Sequence, residues 1–127
     1  MGVRSTLIAS LALPSLALLL GCAAPVESSA FVRAEPEVNA RIVERVPRTL
    51  RLFFEALPDV ERSTVVLKGP EGEYLLRGLH SMGANDLMME IYQPGVTNGI
   101  YTVEWSTVIA GDDARHHGIY RFEVAIP

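Results

Sequence analysis

Cysteine, lysine and tryptophan are nearly missing from this 127-residue chain, which has one of each. With a single cysteine, Cys22, the chain cannot form an internal disulfide. No glycine-rich phosphate loop follows a strand pattern, and no serine, histidine and aspartate stand in the order of a hydrolase elbow. Long amphipathic helical patterns are also lacking after the first residues. We therefore expect a small β-rich protein that is not an enzyme.

The first 21 residues have the pattern of an export signal. Arg4 gives a positive start, and an apolar run from Leu7 to Leu20 follows it. A membrane-spanning helix needs about 20 apolar residues, and Pro14 interrupts this shorter run. A buried core helix is the alternative, but the run has no polar face. We predict a signal peptide over residues 1–21.

The predicted signal ends in Leu19-Leu20-Gly21-Cys22, which resembles a lipobox, where a bacterial peptidase cleaves before a lipid-bearing cysteine. A free reactive thiol is the alternative for Cys22. Stable anchoring needs more than one acyl chain, as a mature lipoprotein has. Residues 22–30, rich in small residues, are predicted to be a flexible tether.

The net charge and the residue after Cys22 indicate the cellular location of the protein. The net charge of −4 makes nucleic acid and an anionic bilayer surface poor electrostatic partners, so membrane association is expected through the lipid alone. Ala23 follows the cysteine where aspartate would retain a lipoprotein, which resembles outer-membrane sorting in Gram-negative bacteria. We predict a lipid-anchored protein on the periplasmic side of a bacterial membrane.

Residues 31–127 are predicted to form one all-β domain. Short β-like runs alternate with turn signals at the spacing of a β-sandwich. In the last two runs, Tyr101, Val103 and Trp105 share one face, as do Tyr120 and Phe122, opposite charged residues. Such faces predict two sheets packed together. The seven predicted strands are Arg41–Val46, Leu50–Phe54, Ser63–Lys68, Glu73–Arg77, Leu87–Tyr92, Ile100–Ile109 and Gly118–Ile126.

Four segments in this order resemble the CopC family of copper carriers. They are Ala34-Glu-Pro36-Glu-Val-Asn39, Val46-Pro-Arg-Thr-Leu-Arg-Leu-Phe-Phe54, Gly99-Ile-Tyr101-Thr-Val-Glu-Trp105-Ser-Thr-Val108, and the Asp112–His117 loop with Gly118-Ile-Tyr-Arg-Phe122. The resemblance implies an immunoglobulin-like Greek-key β-sandwich in the periplasm that binds copper without catalysis. Because fold does not fix function, the metal ligands are considered residue by residue.

The Cu(II) site that the resemblance implies is altered here. The family uses an N-terminal histidine together with an aspartate and a histidine in the closing loop, whereas Ser28-Ser29-Ala30-Phe31 stands at the leading position. Cu(II) prefers a planar set of nitrogen and oxygen donors, so the lost nitrogens matter. Alternation along a strand allows at most one of the two loop histidines to join an aspartate. The candidate ligands left in the loop are Asp112, Asp113, His116 and His117.

A second, Cu(I) site in some family members uses methionines and a histidine, and thioether ligands suit the soft Cu(I) ion. The matching region here offers His80 and Met82, both predicted on a loop, followed by Met88 and Met89. Alternation predicts that Met89 faces the core and Met88 faces outward. His80 and Met82 are therefore the Cu(I) candidates, with a solvated loop as the alternative.

Two functions of different classes remain open. The first is a CopC-like lipoprotein for copper resistance or homeostasis that binds copper at an altered site and passes it to a copper transporter. The second is a metal-free immunoglobulin-like module that docks an envelope protein, with Phe53 or Tyr92 as an exposed anchor. Copper binding, or its absence, distinguishes the two.

Overall fold

The computed structural model describes residues 30–127, so the predicted signal peptide, Cys22 and the rest of the tether before Ala30 lie outside the described residues. A short 3-10 turn spans Val60–Arg62. No helix within 30–127 has the length and apolarity needed to cross a membrane. The eight strands are β1 (Phe31–Glu35), β2 (Arg41–Ile42), β3 (Thr49–Phe54), β4 (Thr64–Gly69), β5 (Gly72–His80), β6 (Asp86–Gln93), β7 (Gly99–Val108) and β8 (Arg115–Val124).

The strands form one curled sheet in the order β1-β3-β6-β5-β4-β7-β8-β2. All neighbours are antiparallel except β2, which runs parallel to β8. Strand β5 joins the two halves, since its start pairs with β4 and the remainder, to His80, pairs with β6. The first half, β1-β3-β6 with the end of β5, packs against the second half, β4-β7-β8. The predicted all-β sandwich class is confirmed, with eight strands instead of about seven.

An aromatic core fills the space between the halves. Tyr101 is fully buried and Trp105 is 4% exposed. Phe122 stacks on Tyr101 with ring centroids 5.3 Å apart. Phe31 stacks on Trp105 at 5.5 Å and on Tyr120 at 5.8 Å. The faces that alternation assigns to β7 and β8 are therefore the buried faces.

Two strands near the start of the domain differ from the prediction. Strand β1 is not among the seven predicted strands, because its Val32, Arg33 and Glu35 are exposed and its alternation is weak. Phe31 and Ala34 pack in the core, and the strand is also held by backbone pairing with β3. Of the predicted strand Arg41–Val46 only Arg41–Ile42 pairs. Val43 and Val46 are exposed, and Pro47 brings no backbone donor.

Two later strands each extend three residues past one of their predicted ends. Strand β8 begins at Arg115 instead of Gly118, so His116 and His117 lie within it, opposite Thr107 and Ser106 of β7. Strand β5 extends to His80, which the sequence placed on a loop. In both cases the extra residues are held by the backbone of a partner strand, which hydrophobic alternation does not reveal.

The indole of Trp105 packs against Gly118 and leaves no room for a side chain at that position. A Cβ at this position would lie 2.6 Å from Cζ2 of Trp105. We expect Gly118→Ala to lower the free energy of unfolding by about 1–3 kcal/mol, as overpacking of a core does. Chemical denaturation measures the loss. Gly95→Ala is the matched control, since a Cβ there meets no atom within 4 Å; equal losses in both variants would contradict the packing argument.

Candidate metal centre

The connection between β5 and β6 carries the first candidate ligands. It turns through Gly83 and Asn85, which have positive φ angles of 87° and 56°. Glycine and asparagine adopt this backbone region at lower cost than other residues. The turn leaves His80 as the last residue of β5 and places Met82 on the exposed connection.

His80 and Met82 are brought together. Nε2 of His80 lies 3.2 Å from Sδ of Met82. The other ring nitrogen, Nδ1, lies 2.5 Å from the carbonyl oxygen of Gly78. A carbonyl only accepts hydrogen bonds, so in the neutral ring the hydrogen is on Nδ1 and the lone pair is on Nε2, the form that binds a metal. An imidazole lone pair and a thioether sulfur thus face the same point beside the loop.

Met88 lies next to this pair. It is the direct cross-strand partner of His80 in the register of β5 and β6. Directly opposed residues have Cβ atoms about 4.5–5.5 Å apart on the same face of a sheet, within reach of a flexible methionine. Met88 is half-buried and faces outward, while Met89 is 2% exposed in the core, as alternation predicts. The outward face therefore offers one imidazole and two thioethers.

Asp86 holds the connection in place. This carboxylate is fully buried and accepts hydrogen bonds from the backbone N–H of Met82 at 2.9 Å and of Ala84 at 3.2 Å. The Ser81 hydroxyl donates to the same oxygen at 3.0 Å, and Nε of Arg51 donates to the other at 2.8 Å. Sequence reasoning missed Asp86; its signal is an aspartate next to a Gly-Ala-Asn turn, where such residues bond local backbone.

The charge of Asp86 makes stability depend on pH. Burial alone raises its pKa, but the hydrogen bonds from Arg51, Met82, Ala84 and Ser81 together outweigh burial and hold the pKa below the ordinary value. The unfolded chain then binds this proton at a pH where the folded chain does not, so stability is lost on acidification through that range.

We therefore expect the free energy of unfolding to fall as the pH drops below about 5. Denaturation in the presence of a metal chelator measures it at several pH values. Asp86→Asn, which cannot titrate, is expected to show a shallower acid slope. An unchanged slope in that variant would contradict the assignment.

The connection between β7 and β8 holds the second set of candidates. Nε2 of His116 lies 3.0 Å from Oδ2 of Asp112, and the N–H of Ala114 donates to Oδ1 at 2.8 Å. The hydrogen bond from the Ala114 N–H is the largest cause that lowers the pKa of Asp112, and the hydrogen bond with His116 is the second largest. His117, the next residue of β8, is exposed on the opposite face. Asp113 is exposed and does not join the Asp112–His116 pair.

The altered Cu(II) set is not assembled as a cluster. In the part of the chain that the structure describes, no three histidine, cysteine, aspartate or glutamate side chains converge as metal ligands. Ala30 is buried and Phe31 lies in the aromatic core, where neither offers an imidazole. What remains of the sequence candidates is two separate pairs, His80–Met82 and Asp112–His116.

Comparison with known proteins decides the family. The sequence model of the family described as the CopC domain matches residues 31–125, nearly the whole described chain. The chain belongs to the CopC family. No curated protein sequence gives a significant match.

CopC-type structures share the fold. CopC from Methylosinus trichosporium OB3b has a TM-score of 0.65 and 19% identity, with 78% of this chain and 95% of that chain covered. PcoC, a copper resistance protein from Escherichia coli, has a TM-score of 0.65 and 18% identity, with 75% of this chain and 98% of PcoC covered. A second PcoC structure, described as that of a methionine-rich copper resistance protein, has the same score and identity. At these identities the structural likeness shows the CopC fold and no more.

Proposed function

We propose that this CopC-family protein is a copper carrier of the bacterial envelope, with Cu(I) as its cargo. The observation that carries the proposal is the 3.2 Å approach of Nε2 of His80 to the thioether sulfur of Met82 beside an exposed connection. Membership of the CopC family and the copper-resistance role of its structural neighbour PcoC support the choice of metal. A carrier of this kind needs no catalytic residues.

The chemistry of the donors favours the monovalent ion. Thioether ligands select Cu(I), whereas Cu(II) takes planar nitrogen and oxygen sets. With bonds of about 2.0 and 2.3 Å, the lengths that zinc makes to imidazole nitrogen and cysteine sulfur, two ligands at a trigonal angle lie about 3.7 Å apart. A small rotation of the exposed Met82 side chain would widen the observed 3.2 Å separation to that value. Met88 would supply the third ligand from the neighbouring strand.

The Asp112–His116 pair is the weaker candidate. It offers one carboxylate and one imidazole, and Asp112 already accepts a hydrogen bond from Ala114 on its other oxygen. His117 faces away from the pair, and Asp113 does not join it. A Cu(II) ion bound there would lack the planar nitrogen-rich set that it prefers. We therefore propose that Cu(II) binds more weakly than Cu(I).

We propose that the first 30 residues export the protein and anchor it to a membrane. A signal peptide over 1–21 and lipid on Cys22 would hold the domain at the periplasmic side of a membrane, the outer membrane in a Gram-negative cell, with residues 22–30 as the tether. A carrier held there can deliver its ion to a membrane-bound copper transporter. Metabolic labelling with a radioactive fatty acid tests the anchor, since Cys22→Ser should abolish labelling.

Competitive titration tests whether the protein binds Cu(I) more tightly than divalent ions. The full chain carrying Cys22→Ser, which removes the one thiol, is titrated with Cu(I) against a coloured Cu(I) chelator and separately with Cu(II) and Zn(II). We expect one equivalent of Cu(I) to be retained and the divalent ions to bind far more weakly. Failure to hold Cu(I) against a weak chelator would rule out the proposal.

A metal-free interaction module is the second candidate, favoured by the missing cluster of nitrogen and oxygen ligands in residues 30–127. The proposed anchors are already covered in part: the guanidinium of Arg33 lies 3.8 Å from the ring centre of Phe53, and that of Arg77 lies 3.7 Å from the ring centre of Tyr92. A pull-down from membranes that captures the same envelope protein with and without chelator would favour this candidate.

A further inference from the structure

We propose that Asp86 is a positioning residue for the metal: its buried carboxylate fixes the backbone of Met82 so that the thioether faces His80. The inference rests on the proposed function and adds a residue that touches neither the ion nor its ligand atoms. Outer groups of this kind commonly change metal affinity by about 10–100-fold.

The contacts of Asp86 are concentrated on the ligand-bearing loop. One oxygen, Oδ1, accepts three hydrogen bonds, from the hydroxyl of Ser81 and the N–H groups of Met82 and Ala84, at 3.0, 2.9 and 3.2 Å. The Ser81 hydroxyl in turn accepts the N–H of Gly83 at 3.1 Å. Consecutive residues from Ser81 to Ala84 are therefore tied, directly or through Ser81, to one fixed oxygen.

The other oxygen anchors the carboxylate to the sheet. Nε of Arg51 on β3 donates to Oδ2 at 2.8 Å. Asp86 itself starts β6 and pairs with Phe53 of β3 in the sheet register. The carboxylate thus links the sheet to an exposed loop, so the backbone of Met82 holds a defined place although the residue is 58% exposed.

The position of Met82 affects metal binding because the other proposed ligand, His80, is held in place by different contacts. His80 belongs to β5, and its ring is oriented by the carbonyl oxygen of Gly78. In Asp86→Asn one carboxylate oxygen becomes an NH2 group, so either the loop N–H groups or Nε of Arg51 lose their acceptor. The link between sheet and loop is then broken, and Met82 is free to move away while His80 and Met88 stay on their strands. Asp86 therefore acts on metal binding through Met82.

A double-mutant cycle tests this route, because it measures whether two residues act together. Cu(I) affinity is measured by chelator competition for the full Cys22→Ser chain and for Asp86→Asn, Met82→Leu and the double variant in that background. We expect Asp86→Asn to weaken binding about tenfold when Met82 is present and less than twofold when leucine replaces it. A loss of equal size in both backgrounds, or no loss in either, would overturn the role of Asp86.

Asp59→Asn is the matched control. Asp59 also accepts hydrogen bonds from Nε of an arginine, Arg62, at 2.8 Å and from the backbone N–H of Glu61. It caps the 3-10 turn and not the β5–β6 connection. We expect this variant to bind Cu(I) within twofold of the unaltered chain, and a tenfold loss in it would count against a specific role for Asp86.

Ser81→Ala replaces Asp86→Asn in the cycle if Asp86→Asn does not fold. It removes the hydroxyl that donates to Oδ1 of Asp86 and accepts the N–H of Gly83. We then expect Ser81→Ala to weaken Cu(I) binding several-fold only when Met82 is present. If the unaltered Cys22→Ser chain binds no Cu(I), the proposed function fails, and the role of Asp86 with it; if that chain binds Cu(I) and both cycles show no coupling, Asp86 alone is excluded.

Discussion

The His80→Ala chain is expected to bind Cu(I) about 100-fold more weakly than the unaltered chain. Loss of a group that holds a metal ligand in place lowers metal affinity about 10–100-fold, so the loss of a ligand itself lies at the upper end of that range or beyond. His80 supplies the one nitrogen of the proposed site, and its lone pair is directed at the thioether of Met82 by the hydrogen bond from Nδ1 to Gly78. Chelator competition in the Cys22→Ser background measures the affinities.

His117→Ala is the control for the loss of an imidazole. His117 is also exposed but lies on β8, and no hydrogen bond joins it to Asp112. We expect its Cu(I) affinity to stay within twofold of the unaltered chain. If His117→Ala and His80→Ala lowered the affinity equally, the β5–β6 connection would not be the site.

Phe31→Ala is expected to lower the free energy of unfolding by about 3 kcal/mol. Truncation of a phenylalanine in a core costs about 3–5 kcal/mol, and the lower end applies because Phe31 is partly exposed. Its ring stacks on Trp105 and Tyr120 and meets Phe54 edge-on at 6.0 Å, so it joins the first strand to both halves of the sandwich. Urea denaturation followed by the fluorescence of Trp105 measures the loss.

Val32→Ala is the matched control on the same strand. Val32 is 55% exposed, so its truncation removes little buried area and should change stability by less than about 0.5 kcal/mol. A loss below about 1 kcal/mol for Phe31→Ala would mean that β1 is held by backbone pairing alone.

The core of the fold could be predicted because its signal is local. Tyr101, Val103 and Trp105 alternate with Thr102 and Glu104, and a strand buried on one face must show such alternation. Strand β1 and the first residues of β8 carry no such pattern: in β1 only Phe31 and Ala34 pack in the core, and the other residues are held by backbone pairing with β3 and β7. Backbone pairing depends on residues distant in sequence, which is why both were missed.

The candidate site could be predicted only in part. The residue types of His80 and Met82 point to a soft metal, but their approach depends on the Gly83 turn and on the ring orientation that Gly78 sets. The register that places Met88 beside His80 is also a property of the pairing of two strands. Asp86 stands next to the Gly83-Ala84-Asn85 turn, which marks an aspartate that bonds local backbone, but this signal does not show that the carboxylate is buried or that its acceptors hold Met82.

X-ray absorption spectroscopy of the Cu(I)-loaded Cys22→Ser chain identifies the atoms that bind the ion. We expect sulfur scatterers from Met82 and Met88 together with one imidazole from His80, and we expect the sulfur contribution to fall by half in Met82→Leu. A coordination shell made only of nitrogen and oxygen atoms, or one unchanged by Met82→Leu, would contradict the proposed site.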